Sequence, residues 1–213
     1  MTVEVREDES RDWVGYASVP IAFTVRAILR VESLGASERS GAERSPSVSP
    51  VHLETRPISP AYAKDYDREP GEHPTDWPRR FDVARWGVLV ARAEGRRVGG
   101  AVIAVQTEPS LDLLRDHPTG ALLWDIRVAP TARGHGVGRA LFHAAERWVS
   151  ARGFTELVVE TQDTNVPACR FYARMGCTVE AIVPGAYPTL PHETQLLWRR
   201  ALDLRTSATG DRR

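Results

Sequence analysis

Phe23, Val25, Ala27, Leu29 and Val31 alternate with Thr24, Arg26, Arg30 and Glu32. A period of two is what a strand with one buried face produces, so residues 21–32 predict a strand. Residues 51–55 predict a second. Residues 88–92 and 98–105 are β-rich runs separated by Ala93, Glu94, Gly95, Arg96 and Arg97, the spacing of an antiparallel hairpin. Residues 122–128 form another strand, stopped by Pro130. From Val137 the period changes: Val137, Ala140, Leu141, Ala144, Ala145, Trp148 and Val149 follow the three-four spacing of an amphipathic helix, and Gly153 ends it. Residues 157–161 are a short apolar run of the kind buried within a sheet. Asn165 is a good N-cap, Pro167 is tolerated in a first turn, and Gly176 closes a second helix. Strands over 178–183 and 193–199 follow, joined by a proline-rich connection.

Mainly antiparallel strands therefore precede a strand–helix–strand–helix unit, and further strands follow it. That order predicts one α/β domain over 1–213: a mixed, mostly antiparallel central sheet with flanking helices and one parallel pair, 122–128 beside 157–161. Residues 33–50, rich in Ser, Gly, Glu and Pro without apolar periodicity, read as a mobile surface loop, and 204–213 as a loose tail. Residues 62–82 turn aromatic and acidic, and Pro70 and Pro74 argue against helix there.

Composition narrows the partners. Of 213 residues 42% are apolar and 26% charged, the profile of a globular protein, and 28 basic residues balance 28 acidic ones. No overall field draws the chain onto nucleic acid or anionic lipid. No apolar run is long enough to span a bilayer, and the acidic N-terminus (Glu4, Glu7, Asp8, Glu9) is unlike a signal peptide, so a cytoplasmic address is expected, with no membrane or nucleic-acid partner. Homodimerisation stays open. Cys169 and Cys177 lie in one local segment with no His pair at zinc spacing; buried free thiols and no metal are the expectation.

The candidate chemistry begins where strand 122–128 meets the first long helix. Arg133, Gly134, His135, Gly136, Val137 and Gly138 form a glycine-rich turn. Such a turn aims backbone N–H groups and the positive end of a helix dipole at a ligand, so a phosphate is the natural guest, to which Arg133 adds a formal charge. There is no Gly-Lys-Ser/Thr, and the glycines miss the dinucleotide fingerprint. Arg-x-x-Gly-x-Gly at 133–138 instead resembles the pyrophosphate-binding motif of the GNAT acetyltransferases. The likeness continues downstream: Glu160 ends a strand, Asn165 follows, and Tyr172 stands seven residues beyond Asn165. It implies the GNAT fold, with the parallel pair splayed, and acetyl-CoA as cosubstrate. It further implies that Ile126, Arg127 and Val128 lend backbone groups to the pantetheine arm and the thioester, that Asn165 touches the pantetheine, and that Tyr172 protonates the departing thiolate. Residues 160–172, with Ala186-Tyr187 and 193–198, are most similar to streptothricin acetyltransferases, whose acceptor is an amine. The N-terminal 50 residues do not align with that family by sequence, and Cys177 stands where an aromatic residue often does.

Glu160 closes a strand of buried type, where an unpaired carboxylate is costly. It is the candidate base, since an amine must be neutral to attack a thioester. Asp125 and Glu193 are rival bases or substrate contacts, with surface or salt-bridge roles the plainer reading for each. Asp65 and Asp67 could hold a cationic acceptor, or belong to a solvated loop. Neither cysteine has a His–acid partner at a recognisable spacing, so direct attack in a ternary complex is expected rather than an acetyl-enzyme. The resulting expectation is an N-acetyltransferase acting on a primary amine of a small cationic molecule, an antibiotic included. A protein lysine or N-terminal amine is the competing acceptor, and a non-catalytic acyl-CoA sensor the competing class.

Overall fold

The structure is a computed structural model describing residues 1–30, 54–106 and 111–202. The expected loop at 33–50, the start of the second strand at 51–53 and the tail at 204–213 lie outside the described residues. The strands are β1 (Glu4–Glu7), β2 (Phe23–Arg30), β3 (Glu54–Lys64), β4 (Gly87–Ala93), β5 (Arg96–Ala104), β6 (Gly120–Val128), β7 (Glu156–Gln162), β8 (Thr178–Pro184) and β9 (Thr194–Ala201). The helices are α1 (Trp13–Ala17), α2 (Trp77–Arg80), α3 (Val137–Ala151) and α4 (Val166–Arg174). This is the expected mixed α/β arrangement: a mostly antiparallel sheet with flanking helices, in which β6 and β7 are the parallel pair.

Two compact units make up the described residues. One holds 1–23, 65–106, 111–158 and 201–202; the other holds 24–30, 54–64 and 159–200, so the chain passes from the first into the second within β7. In the first unit the strands follow the order β1-β4-β5-β6-β7. The β4–β5 hairpin pairs Val88 with Val102 and Val90 with Gly100, turning through Glu94 and Gly95. Six of the seven residues of β4 are buried, all but Arg92, because helix covers what an alternating strand would expose: α3 buries Val137, Leu141, Phe142, Ala144, Ala145, Trp148 and Val149. Trp148 lies against β4 because Gly87 has no side chain; a Cβ there would stand 2.4 Å from the indole. Truncating a fully buried residue such as Leu141 to Ala would cost about 2–5 kcal/mol.

An aromatic cluster fills the far part of this unit. Trp77, 2% exposed, meets Trp13, Tyr16 and Trp124 at centroid distances of 5.7, 6.0 and 6.1 Å. The Asp12 side chain caps α1 by accepting from the Gly15 amide at 2.9 Å. Three differences from the sequence expectation belong to this unit. β1 and α1 carry no apolar alternation to announce them, and the stretch after Pro70 does turn helical, with Pro74 opening a 3-10 turn and Trp77–Arg80 a short helix. Proline at a first turn costs no hydrogen bond.

In the second unit β7, β9 and β8 are neighbours in that order, and β2 pairs with β3 as a separate two-stranded ribbon. The ribbon corrects the expectation that the strand beginning near residue 51 stops at 55: β3 runs on to Lys64. Its prolines, Pro57 and Pro60, fit because each strand of a ribbon has one open edge. α4 opens on Asn165, whose side chain accepts from the Ala168 amide at 3.2 Å, and ends before Gly176, which takes φ +77°.

Candidate functional site

In the first unit the glycine-rich turn leads into α3. Gly134 and Gly136 have φ of +81° and +83°, a region closed in practice to other residues. Gly136 is the N-cap of α3 and offers no side-chain oxygen to the first turn, which carries no acidic residue. The first helical amides therefore face an external acceptor, and an anion suits both their hydrogen-bonding needs and the helix dipole. Residues 133–136 are exposed. Arg133 is less simply used than its charge suggests: Nε donates to the Val128 carbonyl at 3.0 Å and Nη2 to that of Ala22 at 3.2 Å. His135 places Nδ1 2.9 Å from the Arg133 carbonyl.

Ile126, Arg127 and Val128 lie at the end of β6, opposite Ala101, Gly100 and Gly99 of β5. The register slips between Val102 and Ile103, so Trp124 is an extra residue between paired Leu123 and Asp125. A bulge of this kind bends a strand and re-aims its side chains. Gly100 gives room to Tyr16, whose ring a Cβ would approach at 2.5 Å.

Arg127 is buried, and its side chain organises this end of the strand. Nη1 and Nη2 donate to the two oxygens of Asp67 at 3.0 Å each; Nε and Nη2 donate to those of Asp125 at 2.9 and 2.8 Å. Nη1 also reaches the Val19 carbonyl at 3.2 Å. All five guanidinium donors are thereby used. The guanidinium lies 4.9 Å from the Tyr16 ring centroid, and the Tyr16 hydroxyl donates to Asp125 at 2.5 Å. Burial, then the charge of Asp125, pushes the Tyr16 phenol well above its usual value; burial opposes the Arg127 charge, but Asp125 and its hydrogen bond outweigh it and raise Arg127. Two carboxylates surround one guanidinium, so one negative charge remains. Asp65 is not in this cluster: it accepts from the Asp67 amide at 3.3 Å and pairs with exposed Arg68 at 3.4 Å.

In the second unit Glu160 and Gln162 stand two apart on β7 and so share a face. The Tyr187 hydroxyl donates to Glu160 Oε1, and the Gln162 amide donates to the same oxygen at 3.1 Å and to Tyr187 Oη at 3.0 Å. Burial first, then the negative charge of Glu160, raises the Tyr187 phenol; hydrogen bonds with Gln162 and Gln195 oppose this. The other rival base, Glu193, forms a buried ion pair with Lys64, the side chains being 8% and 7% exposed. Tyr172 is buried on α4, 5.4 Å from the Phe171 ring and 6.1 Å from that of Trp198.

Both cysteines are free thiols and buried. Burial, reinforced by Asp163, pushes Cys169 up to about 12, and its Sγ sits 3.6 Å from the Gln162 carbonyl. A thiol held protonated in this way is a poor nucleophile. Among the described residues no His, Cys, Asp and Glu cluster is arranged to hold a metal, and no helix is long and apolar enough to cross a membrane.

Sequence reasoning missed Tyr187 as the partner of Glu160 and Tyr16 and Asp67 as partners of Arg127. Nothing local joins residues 60 or 27 positions apart. The available signals were the shared face of Glu160 and Gln162 and the place of Tyr187 in the same family resemblance as residues 160–172.

Comparison with known proteins follows the same lines. The acetyltransferase (GNAT) family profile matches residues 54–177. Streptothricin acetyltransferase A of Bacillus subtilis (strain 168) is 40% identical over 80 residues, 37% of this chain and 46% of that protein. Streptothricin acetyltransferase of Escherichia coli is 40% identical over 76 residues, 34% and 44% of the respective chains. The chain thus matches less than half the length of these curated relatives. Among solved structures, nourseothricin acetyltransferase gives a TM-score of 0.67 at 23% identity, covering 95% of this chain and 100% of that one. A Bacillus anthracis str. Ames protein in complex with acetyl coenzyme A gives 0.68 at 20% identity, covering 94% and 100%. At these identities the likeness is one of fold.

Proposed function

This chain belongs to the acetyltransferase (GNAT) family, and we propose that it is an N-acetyltransferase carrying the acetyl group of acetyl-CoA to a primary amine of a small cationic molecule such as streptothricin. The observation that carries the reading is the turn at 133–138. Two left-handed glycines deliver an α3 N-terminus with no side-chain cap, which suits a pyrophosphate. Ile126, Arg127 and Val128 hold the pantetheine arm through backbone groups, with Asn165 as a further contact.

The reaction then needs three things of the chain. The acceptor must lose a proton, and Glu160 takes it. The amine nitrogen bonds to the thioester carbon, and backbone N–H groups of β6 stabilise the oxyanion that forms. As the carbon–sulfur bond breaks, the Tyr172 phenol gives its proton to the thiolate, whose basicity is close to its own, and the second proton, shed by the nitrogen as it becomes an amide, restores the phenol. No acetyl-enzyme is required, and the high pKa of buried Cys169 supports direct attack. The uncompensated negative charge around Arg127, from Asp67 and Asp125, favours a cationic acceptor by its field, whereas Asp65 and Glu193 are already paired with Arg68 and Lys64. The two streptothricin acetyltransferase relatives support the same substrate class.

The test is thiol release from acetyl-CoA across a panel of streptothricin, aminoglycosides, polyamines and lysine peptides. Turnover of streptothricin or another small polycation is expected. Turnover of peptides alone would make the chain a protein acetyltransferase, and acetyl-CoA binding without turnover of any amine would make it a sensor.

A further inference from the structure

We infer that Tyr187 is a positioning residue, holding the Glu160 carboxylate by a hydrogen bond so that it meets the acceptor's ammonium in one orientation and in its ionised form. The inference rests on the reading of Glu160 as the base, and goes beyond it by assigning a function to the connection between β8 and β9.

Three features carry it. The first is convergence: the Tyr187 hydroxyl and the Gln162 amide both donate to the same oxygen, Oε1. Gln162 also donates to Tyr187 Oη at 3.0 Å, so the three groups form a closed triangle rather than a chance contact. A carboxylate on a flexible stem loses its rotamer freedom when two donors fix one oxygen, and the geometry of proton transfer depends on that.

The second is how Tyr187 itself is held. Its carbonyl accepts from the Leu190 amide at 3.0 Å, the Leu190 carbonyl accepts from Glu193 at 3.0 Å, and Gln195 on β9 reaches its hydroxyl. Gly185 enters this connection with φ +70°. The phenol is thus presented from tight turns tied to the first residues of β9, not from a side chain adrift on a long loop.

The third is electrostatic. Glu160 is only partly exposed at the end of β7, and removal from water disfavours a charged carboxylate, whereas donors to its oxygens favour it. A base that drifted toward protonation would be idle at neutral pH. Among the described residues, Gln162 from its own strand and Tyr187 from the β8–β9 connection donate to Glu160. Burial and the neighbouring carboxylate raise the Tyr187 phenol, so it stays a donor throughout the range in which Glu160 ionises.

The experiment separates this inference from the reading beneath it. The Glu160 carboxyl is followed by carbon-13 NMR in the full chain labelled at glutamate, its resonance identified by its loss in Glu160→Gln. In Tyr187→Phe the ionisation midpoint should rise by about one pH unit, because a hydrogen bond to the charged form has gone. Gln162→Leu should move it in the same direction and serves if Tyr187→Phe folds poorly. Kinetics with streptothricin should show turnover down about tenfold, unchanged KM for acetyl-CoA, and no further loss when Tyr187→Phe is added to Glu160→Gln. An unmoved midpoint in both single variants, or an undiminished effect of Tyr187→Phe in the Glu160→Gln background, overturns the positioning role. Full turnover in Glu160→Gln with a shifted midpoint in Tyr187→Phe instead overturns Glu160 as the base and leaves the contact itself standing.

Discussion

Arg127 and Asp67 meet through two parallel hydrogen bonds of 3.0 Å, on a guanidinium whose side chain is 1% exposed. Asp125 closes on the same group from its own strand. A buried cation with this many partners is not evidence of net stabilisation, since desolvation offsets much of the attraction. Removing one partner is another matter, because the rest stay buried without compensation.

Arg127→Met should therefore lower stability by about 3–5 kcal/mol, while Asp67→Asn, which keeps one acceptor oxygen and relieves the excess negative charge, should cost clearly less. Denaturant midpoints at unchanged m-values give the comparison. Equal losses in the two variants would mean that the cluster is not organised around Arg127.

The glycine-rich turn separates binding from folding. No atom lies within 4 Å of a Cβ built on Gly136, so the cost of Gly136→Ala is backbone strain of about 1–2 kcal/mol at φ +83°. A chain that stays folded but cannot hold the turn should bind acetyl-CoA at least tenfold more weakly by calorimetric titration; Gly138→Val, which puts a branched side chain in the first turn of α3, should also weaken binding. Wild-type affinity in a folded variant would remove the pyrophosphate assignment.

The legibility of the chain followed burial. α3 was readable because seven of its residues face the core and print the helical period; β4, β5 and β6 because each holds an unbroken run of buried residues without charge, 87–91, 99–104 and 120–123. β3 was cut short because its side chains are mostly exposed and Pro57 and Pro60 interrupt it, so no alternation survives. β1 is exposed in the same way. The motif at 133–138 was legible since its chemistry is local. Pairings were not: Asp67 with Arg127, Lys64 with Glu193 and Glu160 with Tyr187 join residues far apart in sequence, and each side chain alone is an ordinary polar residue.

Asp163 supplies a prediction about pH. Burial raises it from its ordinary 3.8, against hydrogen bonds from Thr194 that pull it down, and Glu193 adds to the rise. The native state then binds this proton more tightly than the unfolded chain. The resulting stability is fully present below the unfolded pKa and is lost as pH rises through the folded one. Asp163→Asn removes the titration, so its stability relative to wild type should improve as pH goes from about 3 to about 6. Parallel denaturation at several pH values makes the check, and a difference constant across that window would rule the linkage out.

Tyr172 offers the sharpest test of the mechanism, because its ring and its hydroxyl have different tasks. The ring is 5% exposed on α4 and packs near Phe171 and Trp198, so it contributes to the core whatever the chemistry. Tyr172→Phe keeps that packing and deletes only the proton donor. If the phenol protonates the departing thiolate, the variant should unfold close to the wild-type temperature and bind acetyl-CoA with near wild-type affinity. Its turnover should nonetheless fall by about a hundredfold, the scale of one positioned general acid. The loss should appear equally in kcat and kcat/KM for the amine, since a proton given only as the bond breaks is absent from the ground state. Tyr172→Ala makes the contrast: it opens a cavity beside Trp198 and should cost about 3–5 kcal/mol of stability as well. Wild-type turnover in a stable Tyr172→Phe would assign the proton to water or another group, and a loss confined to acetyl-CoA affinity would make Tyr172 a binding residue instead.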